Sequence, residues 1–153
     1  MQFLELRVPP VLVVFILAVT MGLVTWLLPI LEFSLPGKWW FAVGFCLLGG
    51  WIILLAAQRI IKARTTLDPR RPEKSRRLVI QGPYRYSRNP IYVGLLFVLF
   101  AFAIYLSNVI AFVLLPLYML YMNRFQIQPE EGFMRQKFGD DYIVYVARVR
   151  RWL

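Results

Sequence analysis

Three long stretches without a charged side chain dominate the sequence: residues 8–31, 39–58 and 89–123. A helix needs about 20 apolar residues to cross the roughly 30 Å hydrocarbon core of a bilayer, so each of the first two stretches can span it. The third would be about 52 Å long as one helix at 1.5 Å per residue, which is too long for a single span. We therefore predict that Ser107-Asn108 breaks it into a helical hairpin.

The predicted fold is an all-α integral membrane protein with four transmembrane helices, arranged as two hairpins. The chain is 59% hydrophobic and only 17% charged, whereas soluble domains average about 45–50% apolar and about 25% charged residues. The first uncharged stretch is longer than the apolar region of about 7–15 residues in a cleaved signal peptide, so we expect it to be retained. We treat residues 1–153 as a single domain, with spans at about residues 8–31, 39–61, 90–106 and 109–125.

The charges are segregated from the apolar stretches and are mostly basic. The chain has 18 Lys and Arg against 8 Asp and Glu. Ten of the basic residues lie within residues 59–88, where only Asp68 and Glu73 oppose them. Because cytoplasmic loops of membrane proteins are enriched in Lys and Arg, we predict that this linker, both termini and the active face are cytoplasmic. The same charge also allows attraction for anionic lipid headgroups or for an acidic ligand.

The residue types exclude several kinds of chemistry. The chain has no histidine and a single cysteine, Cys46, so we expect neither a metal site nor an imidazole base. It contains no Gly-x-Ser-x-Gly, Cys-x-x-Cys or phosphate-binding glycine loop. Methyl transfer from a sulfonium is compatible with this sequence, because alignment of donor and acceptor can supply much of the rate when the acceptor is already a thiolate or carboxylate.

The stretch from Gly82 to Gly94, GPYRYSRNPIYVG, joins the basic linker to the third predicted span. Gly82 permits a turn, and Asn89-Pro90 is typical of a helix start, with Asn at the N-cap and Pro at the first helical position. A helix N-terminus attracts anions, Arg88 can pair with a carboxylate, and the tyrosines can stack on an adenine or pack beside a sulfonium. The alternative is an interfacial anchor, since aromatic and basic residues are common at headgroup depth.

Glu130 and Glu131, directly after Pro129, are the second candidate feature. They can bind a ribose hydroxyl or an ammonium group; alternatively, they complement the dipole of a helix that starts there. We predict a short helix from Glu130 to Phe138 that stops at Gly139, followed by an amphipathic helix on the membrane surface. The apolar stripe of that last helix is expected to comprise Tyr142, Tyr145, Val146, Val149 and Leu153.

Together, the two features resemble the two signatures of the isoprenylcysteine carboxyl methyltransferase family and its phospholipid methyltransferase relatives. Residues 82–94 are similar to the first signature, roughly G-x-Y-x-x-x-R-H-P-x-Y-x-G. Residues 130–145 are similar to the second, E-E-x-x-L-x-x-x-F-G-x-x-Y-x-x-Y, with Met134 at the leucine position. The order of the signatures agrees as well, and with the hairpin between them they cover about half of the chain.

The resemblance implies a membrane methyltransferase that holds S-adenosylmethionine on the cytoplasmic side, between the linker at residues 65–89 and a helical tail at residues 126–153 that completes the pocket. Many members have histidine where this chain has Asn89, which cannot act as a base. The resemblance implies catalytic or substrate-binding roles for Arg88, Asn89 and Arg124, although Gln126 can occupy the position of Arg124. It implies cofactor contacts for Arg77, Leu78, Val79, Tyr84, Asn89, Pro90, Tyr92, Gly94, Glu130 and Glu131.

The predicted function is methyl transfer from S-adenosylmethionine to a lipophilic acceptor. This acceptor is the carboxylate or thiol of an isoprenylcysteine-like molecule, or a phospholipid amine. The expected partners are the lipid bilayer and this substrate, with no nucleic acid and no metal; the sequence predicts no oligomeric state. Two other functions remain open, an NADPH-dependent membrane reductase on a related scaffold and a non-enzymatic membrane accessory protein.

Overall fold

Helices form nearly all of the regular structure in this computed structural model, which describes residues 6–64 and 77–153. These residues contain no β-strand, only two isolated bridge pairs. The all-helical class is therefore confirmed. The α-helices of the described residues are α1 (Pro10–Leu27), α2 (Lys38–Lys62), α3 (Pro90–Leu106), α4 (Val109–Met122) and α5 (Gln128–Arg148).

Several of these helices suit a membrane. Three are long and apolar enough to cross one: Pro10–Leu27, Lys38–Lys62 and Val109–Arg148. The range Val109–Arg148 combines the apolar α4 with the more polar α5. Helix α3 is also apolar, but it has only 17 residues. Large apolar side chains such as Trp26 and Trp40 stay exposed on α1 and α2, to an extent that is unusual in soluble proteins. These are the features of a multi-pass membrane protein.

The break predicted between α3 and α4 is confirmed. Helix α3 ends where Ser107 adopts a left-handed φ of 52°. Helix α4 begins after Asn108, whose Oδ1 accepts a hydrogen bond from the Ile110 N–H at 3.0 Å. The Nδ2 of the same buried side chain donates to the carbonyl of Leu28 at 3.1 Å. The hairpin turn is thereby tied to the end of α1.

Contacts between helix ends show that helices that follow one another in the chain run antiparallel. At one end, the Phe33 N–H donates to the carbonyl of Ser107 at 2.9 Å. At the other end, the Leu6 N–H donates to the carbonyl of Phe125 at 3.0 Å, and the side chain of Arg59 lies against Gly82. The described start of the chain, the described edges of the linker and the tail therefore share one end of the bundle, which we call the basic end.

Helix α2 packs most extensively against α3, and two glycines permit this close contact. A Cβ added to Gly94 would lie 2.5 Å from Cγ1 of Ile53 and 2.7 Å from the carbonyl oxygen of Gly49. A Cβ added to Gly49 would lie 2.6 Å from the carbonyl oxygen of Gly94. Small residues at such positions let helix backbones approach closely. The last glycine of the first signature therefore has a packing role.

We expect Gly94→Ala to destabilise the protein by about 1–3 kcal/mol, because overpacking a tight contact forces backbone shifts. Gly44→Ala is the matched control on α2, since a Cβ added there meets no atom within 4 Å. It should leave stability unchanged or slightly higher, because alanine favours helices. Thermal unfolding in detergent measures both variants, and equal unfolding temperatures would contradict this helix contact.

The tail begins differently from the prediction. Instead of a new helix at Glu130, α4 continues through a wider π-helical turn, Asn123–Ile127, into α5. Pro129 lacks the N–H that would bond the Phe125 carbonyl in an α-helix, and the N–H of Leu6 donates to that carbonyl instead. The two glutamates therefore lie in the first turn of α5, but the backbone that leads into this turn is already helical.

The end of the tail confirms one prediction and corrects another. Gly139 interrupts the helix with φ 50° and ψ −125°, as its predicted role as a stop requires. The prediction that the apolar stripe of the last helix lies on the membrane surface is wrong, because Tyr142 and Tyr145 of this stripe are buried in the protein. The Tyr145 hydroxyl donates to the carbonyl of Tyr84 at 2.8 Å, which turns this face of the helix towards the first signature. Helix α5 ends before Val149, which is extended.

Candidate functional site

The first signature begins as a tight turn at the basic end. Gly82 has a φ of 65°, and a Cβ added to it would lie 2.8 Å from Nε of Arg59. The positive φ therefore favours glycine, and any larger residue would also have to displace the side chain of Arg59. The turn Gly82–Arg85 buries Tyr84, and burial is the main reason that the pKa of its hydroxyl is raised. Tyr84 is thus a neutral hydrogen-bonding group at any physiological pH.

Asn89 has the predicted position but not the predicted capping role. Helix α3 begins at Pro90, which confirms the helix start, yet the side chain of Asn89 makes no cap hydrogen bond. Its Nδ2 donates to the carbonyl of Arg151 at 2.9 Å, and its backbone N–H donates to the hydroxyl of Ser87 at 3.1 Å. The capping prediction is wrong because the tail returns to this point and supplies a competing acceptor.

Tyr92 and Glu130 join the two signatures. The Tyr92 hydroxyl donates to Oε1 of Glu130 at 2.5 Å, while the Tyr118 hydroxyl donates to the backbone carbonyl of Tyr92 at 3.1 Å. Burial of the carboxyl raises the pKa of Glu130 to about 8; the hydrogen bond from Tyr92 opposes this and the charge of Glu131 adds to it. A bound cation or hydrogen-bond donor would stabilise the carboxylate form, so this carboxyl is suited to a ligand.

The free energy of unfolding should fall as the pH rises from 4.5 to about 8. The unfolded chain loses the Glu130 proton near the ordinary pKa of 4.5, whereas the folded protein keeps it until about pH 8. Ionisation therefore favours the unfolded state, by up to about 1 kcal/mol per pH unit in this window.

Thermal unfolding in detergent at a series of pH values measures this slope. Glu130→Gln cannot ionise at this position and should flatten the slope, whereas Glu32→Gln, near the opposite end of the bundle, should not. Identical slopes in wild type and Glu130→Gln would contradict the raised pKa.

An ion cluster lies beside this pair. Glu131 accepts hydrogen bonds from Nη2 of Arg88 at 2.8 Å and from Nη2 of Arg151 at 2.6 Å. Burial opposes ionisation of Glu131, but the bonds and charges of the two arginines outweigh it and lower the pKa. The Nη1 of Arg88 also donates to two backbone carbonyls near the end of α5, at 3.2 and 2.8 Å. The two adjacent glutamates therefore differ: Glu131 is an ionised structural group, and Glu130 is the one suited to a ligand.

The structure brings six of the predicted site residues together at the basic end. They are Tyr84, Arg88, Asn89, Tyr92, Glu130 and Glu131. Pro90 lies among them as the first residue of α3. The sequence prediction that the two signatures form one site is consistent with this arrangement.

The other predicted residues lie around this group. Arg77 is exposed, and Leu78 and Val79 are half-buried in the segment before the turn. Gly94 faces α2, and Arg124 is exposed, with its guanidinium 5.5 Å from the ring centre of Phe125. The cofactor and substrate contacts implied for these residues stay predictions.

The linker and Gln126 are the remaining parts of the predicted site. Residues 65–76 of the predicted cofactor-binding linker lie outside the described residues. Gln126, the alternative to Arg124, is completely buried, and its Nε2 donates to the carbonyl of Val8 at 2.7 Å. Within residues 6–64 and 77–153, no group of three or more His, Cys, Asp or Glu side chains is arranged to hold a metal ion.

Sequence reasoning missed four groups that complete the site. They are the Ser87 hydroxyl, the Tyr118 hydroxyl, the pairing of Arg151 with Glu131, and Trp152. The sequence offered one signal for these groups, Trp152: a large indole ring beside two arginines indicates that this part of the tail packs against the protein. Its partners come from distant parts of the chain, so the sequence pattern does not reveal them.

Comparison with known proteins identifies the family. The sequence model of the phospholipid methyltransferase family matches residues 38–141, more than half of the chain, so the chain belongs to that family and the predicted resemblance is confirmed. The chain is also 41% identical over 63 residues to an uncharacterized protein of Haemophilus influenzae, a match that covers 41% of this chain and 100% of that protein. No solved structure shows a significant match. Membership of this family, together with the apolar helices, implies that the protein is a membrane methyltransferase.

Proposed function

We propose that this protein transfers a methyl group from S-adenosylmethionine to a lipophilic acceptor at the basic end of a four-span bundle. The observation that carries the proposal is the Tyr92–Glu130 pair, in which the half-buried carboxyl of Glu130 has a pKa of about 8. Among the described residues, none of the groups that shift this pKa is a cation. A half-buried carboxyl whose pKa no described cation lowers is suited to a positively charged ligand.

The residues at this site suit S-adenosylmethionine, which carries a sulfonium and an ammonium group. Carboxyl groups and aromatic rings both attract cations. Burial is the main reason that the pKa of the hydroxyls of Tyr84 and Tyr142 is raised, and the charge of Glu130 adds to it, so both hydroxyls lie within electrostatic range of the carboxyl. When bound, this cofactor supplies an electrophilic methyl group. Glu130, Tyr92, Tyr84 and residues 77–79 would hold it.

The site residues position the reactants rather than react with them. Asn89 cannot accept a proton, and Arg88 is held in the ion cluster. The rate would then come from alignment, for which effective molarities reach about 10⁵–10⁸ M in favourable cases. We propose that the acceptor arrives as a carboxylate, thiolate or free amine, on an isoprenylcysteine-like molecule or a phospholipid, and enters from the bilayer beside the α3–α4 hairpin. Arg124 is the proposed contact for its polar group.

We propose that α1, α2, α3 and α4 each cross the membrane and that the basic end is cytoplasmic. With 17 residues, α3 would be about 26 Å long, and local thinning of the bilayer accommodates a span of this length. The turns at the opposite end carry Glu32 and Lys38, whereas the linker and tail together carry 16 basic and six acidic residues. This asymmetry supports the orientation, which would place the site where S-adenosylmethionine is available.

Calorimetry of the detergent-solubilised protein tests the proposal. We expect S-adenosylhomocysteine, the product of the methyl donor, to bind and NADPH not to bind. Preferential binding of NADPH would instead support the membrane reductase. Absence of binding by either ligand to well-folded protein would overturn the enzymatic proposal and favour an accessory protein, which co-purification with a partner would then test.

A further inference from the structure

Residues 149–153 follow α5 as a non-helical segment beside the first signature, which we call the strap. The backbone N–H of Arg88 donates to the carbonyl of Arg150 at 2.9 Å. The carbonyl of Arg151 accepts from the Ser87 hydroxyl at 3.2 Å and from Nδ2 of Asn89 at 2.9 Å. The strap thus runs alongside the site as a parallel strand would, and it lies outside the residues that the family model matches.

Trp152 connects the strap to the interior of the bundle. Its Nε1 donates to Oδ1 of Asn123, in the π-helical turn, at 3.1 Å. Its ring meets the ring of Tyr118 edge-on, with the ring centres 6.2 Å apart. Tyr118 is completely buried and donates to the carbonyl of Tyr92, and Tyr92 donates to Glu130. A continuous line of contacts therefore leads from the strap to the ligand-binding carboxyl.

We infer that Trp152 is a positioning residue: its ring holds Tyr118, and thereby Tyr92, in the place where Tyr92 closes over Glu130. Edge-to-face aromatic pairs stabilise a fixed ring position beyond the effect of burial alone. Tyr92 lies in the first turn of α3, where fixing the backbone carbonyl also fixes the direction of the side chain. Without the indole ring, Tyr118 loses packing on one side and water gains access to the carboxyl. The effect on cofactor binding rests on the proposed function, whereas the effect on Glu130 does not.

The protonation of Glu130 reports this geometry without any cofactor. The titratable groups that face it in the described residues are Tyr92 on α3, Tyr84 in the turn, and Glu131 and Tyr142 on α5. Burial is the largest influence on the pKa of Glu130 and exceeds the opposing hydrogen bond from Tyr92. Opening the site to water therefore lowers the pKa, even though that hydrogen bond weakens at the same time.

Infrared difference spectroscopy over a pH titration measures this pKa in detergent, with the carboxyl band assigned by its loss in Glu130→Gln. In wild type, the carboxyl of Glu130 is expected to titrate near pH 8. In Trp152→Ala, the pKa of Glu130 should be lower by at least about one unit, because water then reaches the carboxyl. Trp152→Phe keeps a ring against Tyr118 and should titrate near the wild-type value. Trp26→Ala, a control on the exposed face of α1, should leave the titration unchanged.

Two results would overturn the inference. One is a folded Trp152→Ala protein in which the pKa of Glu130 equals or exceeds the wild-type value. The other is a Trp152→Phe protein that titrates as low as Trp152→Ala, because the hydrogen bond of the indole rather than its ring would then matter. If Trp152→Ala does not fold, Tyr118→Phe replaces it: this variant keeps the ring but loses the hydroxyl that holds Tyr92, so the inference requires a lower titration and an unchanged one overturns it.

Calorimetry with S-adenosylhomocysteine on the same variants gives the second readout. Trp152→Ala should bind it roughly tenfold more weakly than wild type, and Trp152→Phe should bind it almost as well. Equal binding by wild type and Trp152→Ala would count against the positioning role. Absence of binding in wild type itself counts against the proposed function, while the infrared titration continues to decide the role of Trp152.

Discussion

Replacing Glu130 by glutamine should weaken the binding of S-adenosylhomocysteine by about 10- to 100-fold and leave the protein folded. Hydrogen bonds to charged groups contribute about 1.5–3 kcal/mol, and each 1.4 kcal/mol corresponds to about a tenfold change in affinity. Glutamine keeps the shape of the side chain but cannot become a carboxylate. Because the ion cluster uses Glu131 and not Glu130, the substitution leaves the structural pairing of the tail in place.

The pH dependence of binding sharpens this prediction. Below about pH 8 the ligand-free site holds a protonated carboxyl, so a ligand that favours the carboxylate must displace a proton. Affinity should therefore rise with pH up to about 8, and binding should release a proton, which calorimetry in buffers of different ionisation enthalpy detects. Glu130→Gln should lose this dependence, and Glu32→Gln should retain it. Equal, pH-independent affinities in wild type and Glu130→Gln would contradict the role of Glu130.

Arg88→Ala should destabilise the protein by about 2–4 kcal/mol, somewhat less than the loss of about 3–5 kcal/mol that follows removal of one partner of a fully buried ion pair. The side chain of Arg88 is only 11% exposed and that of Glu131 only 19%, so screening by water is limited. Arg151 continues to pair with Glu131, which reduces the loss. The substitution also removes the donors to two carbonyls at the end of α5, which should loosen the strap.

Thermal unfolding in detergent measures the effect, with Arg85→Ala as the matched control. Arg85 lies three residues earlier and is exposed, so its removal should change stability by less than about 0.5 kcal/mol. Arg88→Lys should recover little of the loss, because a lysine cannot reproduce the planar set of donors that Arg88 directs at three acceptors. Equal unfolding temperatures for Arg85→Ala and Arg88→Ala would show that the ion cluster does not stabilise the tail.

The helix boundaries could be predicted where local chemistry determines them. Pro90 starts α3 because its fixed φ suits a first helical position. Ser107-Asn108 separates α3 from α4 through a left-handed residue and a side-chain cap, and Gly139 kinks α5 through its positive φ. Each of these effects depends on one or two neighbouring residues, which the sequence shows directly.

The roles within the site were less predictable, because they depend on residues far apart in the chain. In the sequence Glu130 and Glu131 look alike, but Arg151 pairs only with Glu131 and leaves Glu130 half-buried with a raised pKa. The predicted cap of Asn89 failed for the same reason, since its side chain bonds the carbonyl of Arg151. The course of the strap, and with it the role of Trp152, depends on tertiary packing that no local pattern records.

Transfer of a labelled methyl group tests the central proposal most directly. Membranes that contain wild type, Glu130→Gln or Glu32→Gln are incubated with S-adenosylmethionine labelled in its methyl group, and the lipids and lipophilic small molecules are then extracted and separated. We expect label in a lipophilic product with wild type and Glu32→Gln, and at least roughly tenfold less label with Glu130→Gln. Label no higher than in membranes without the protein, or equal label with wild type and Glu130→Gln, would contradict the proposal.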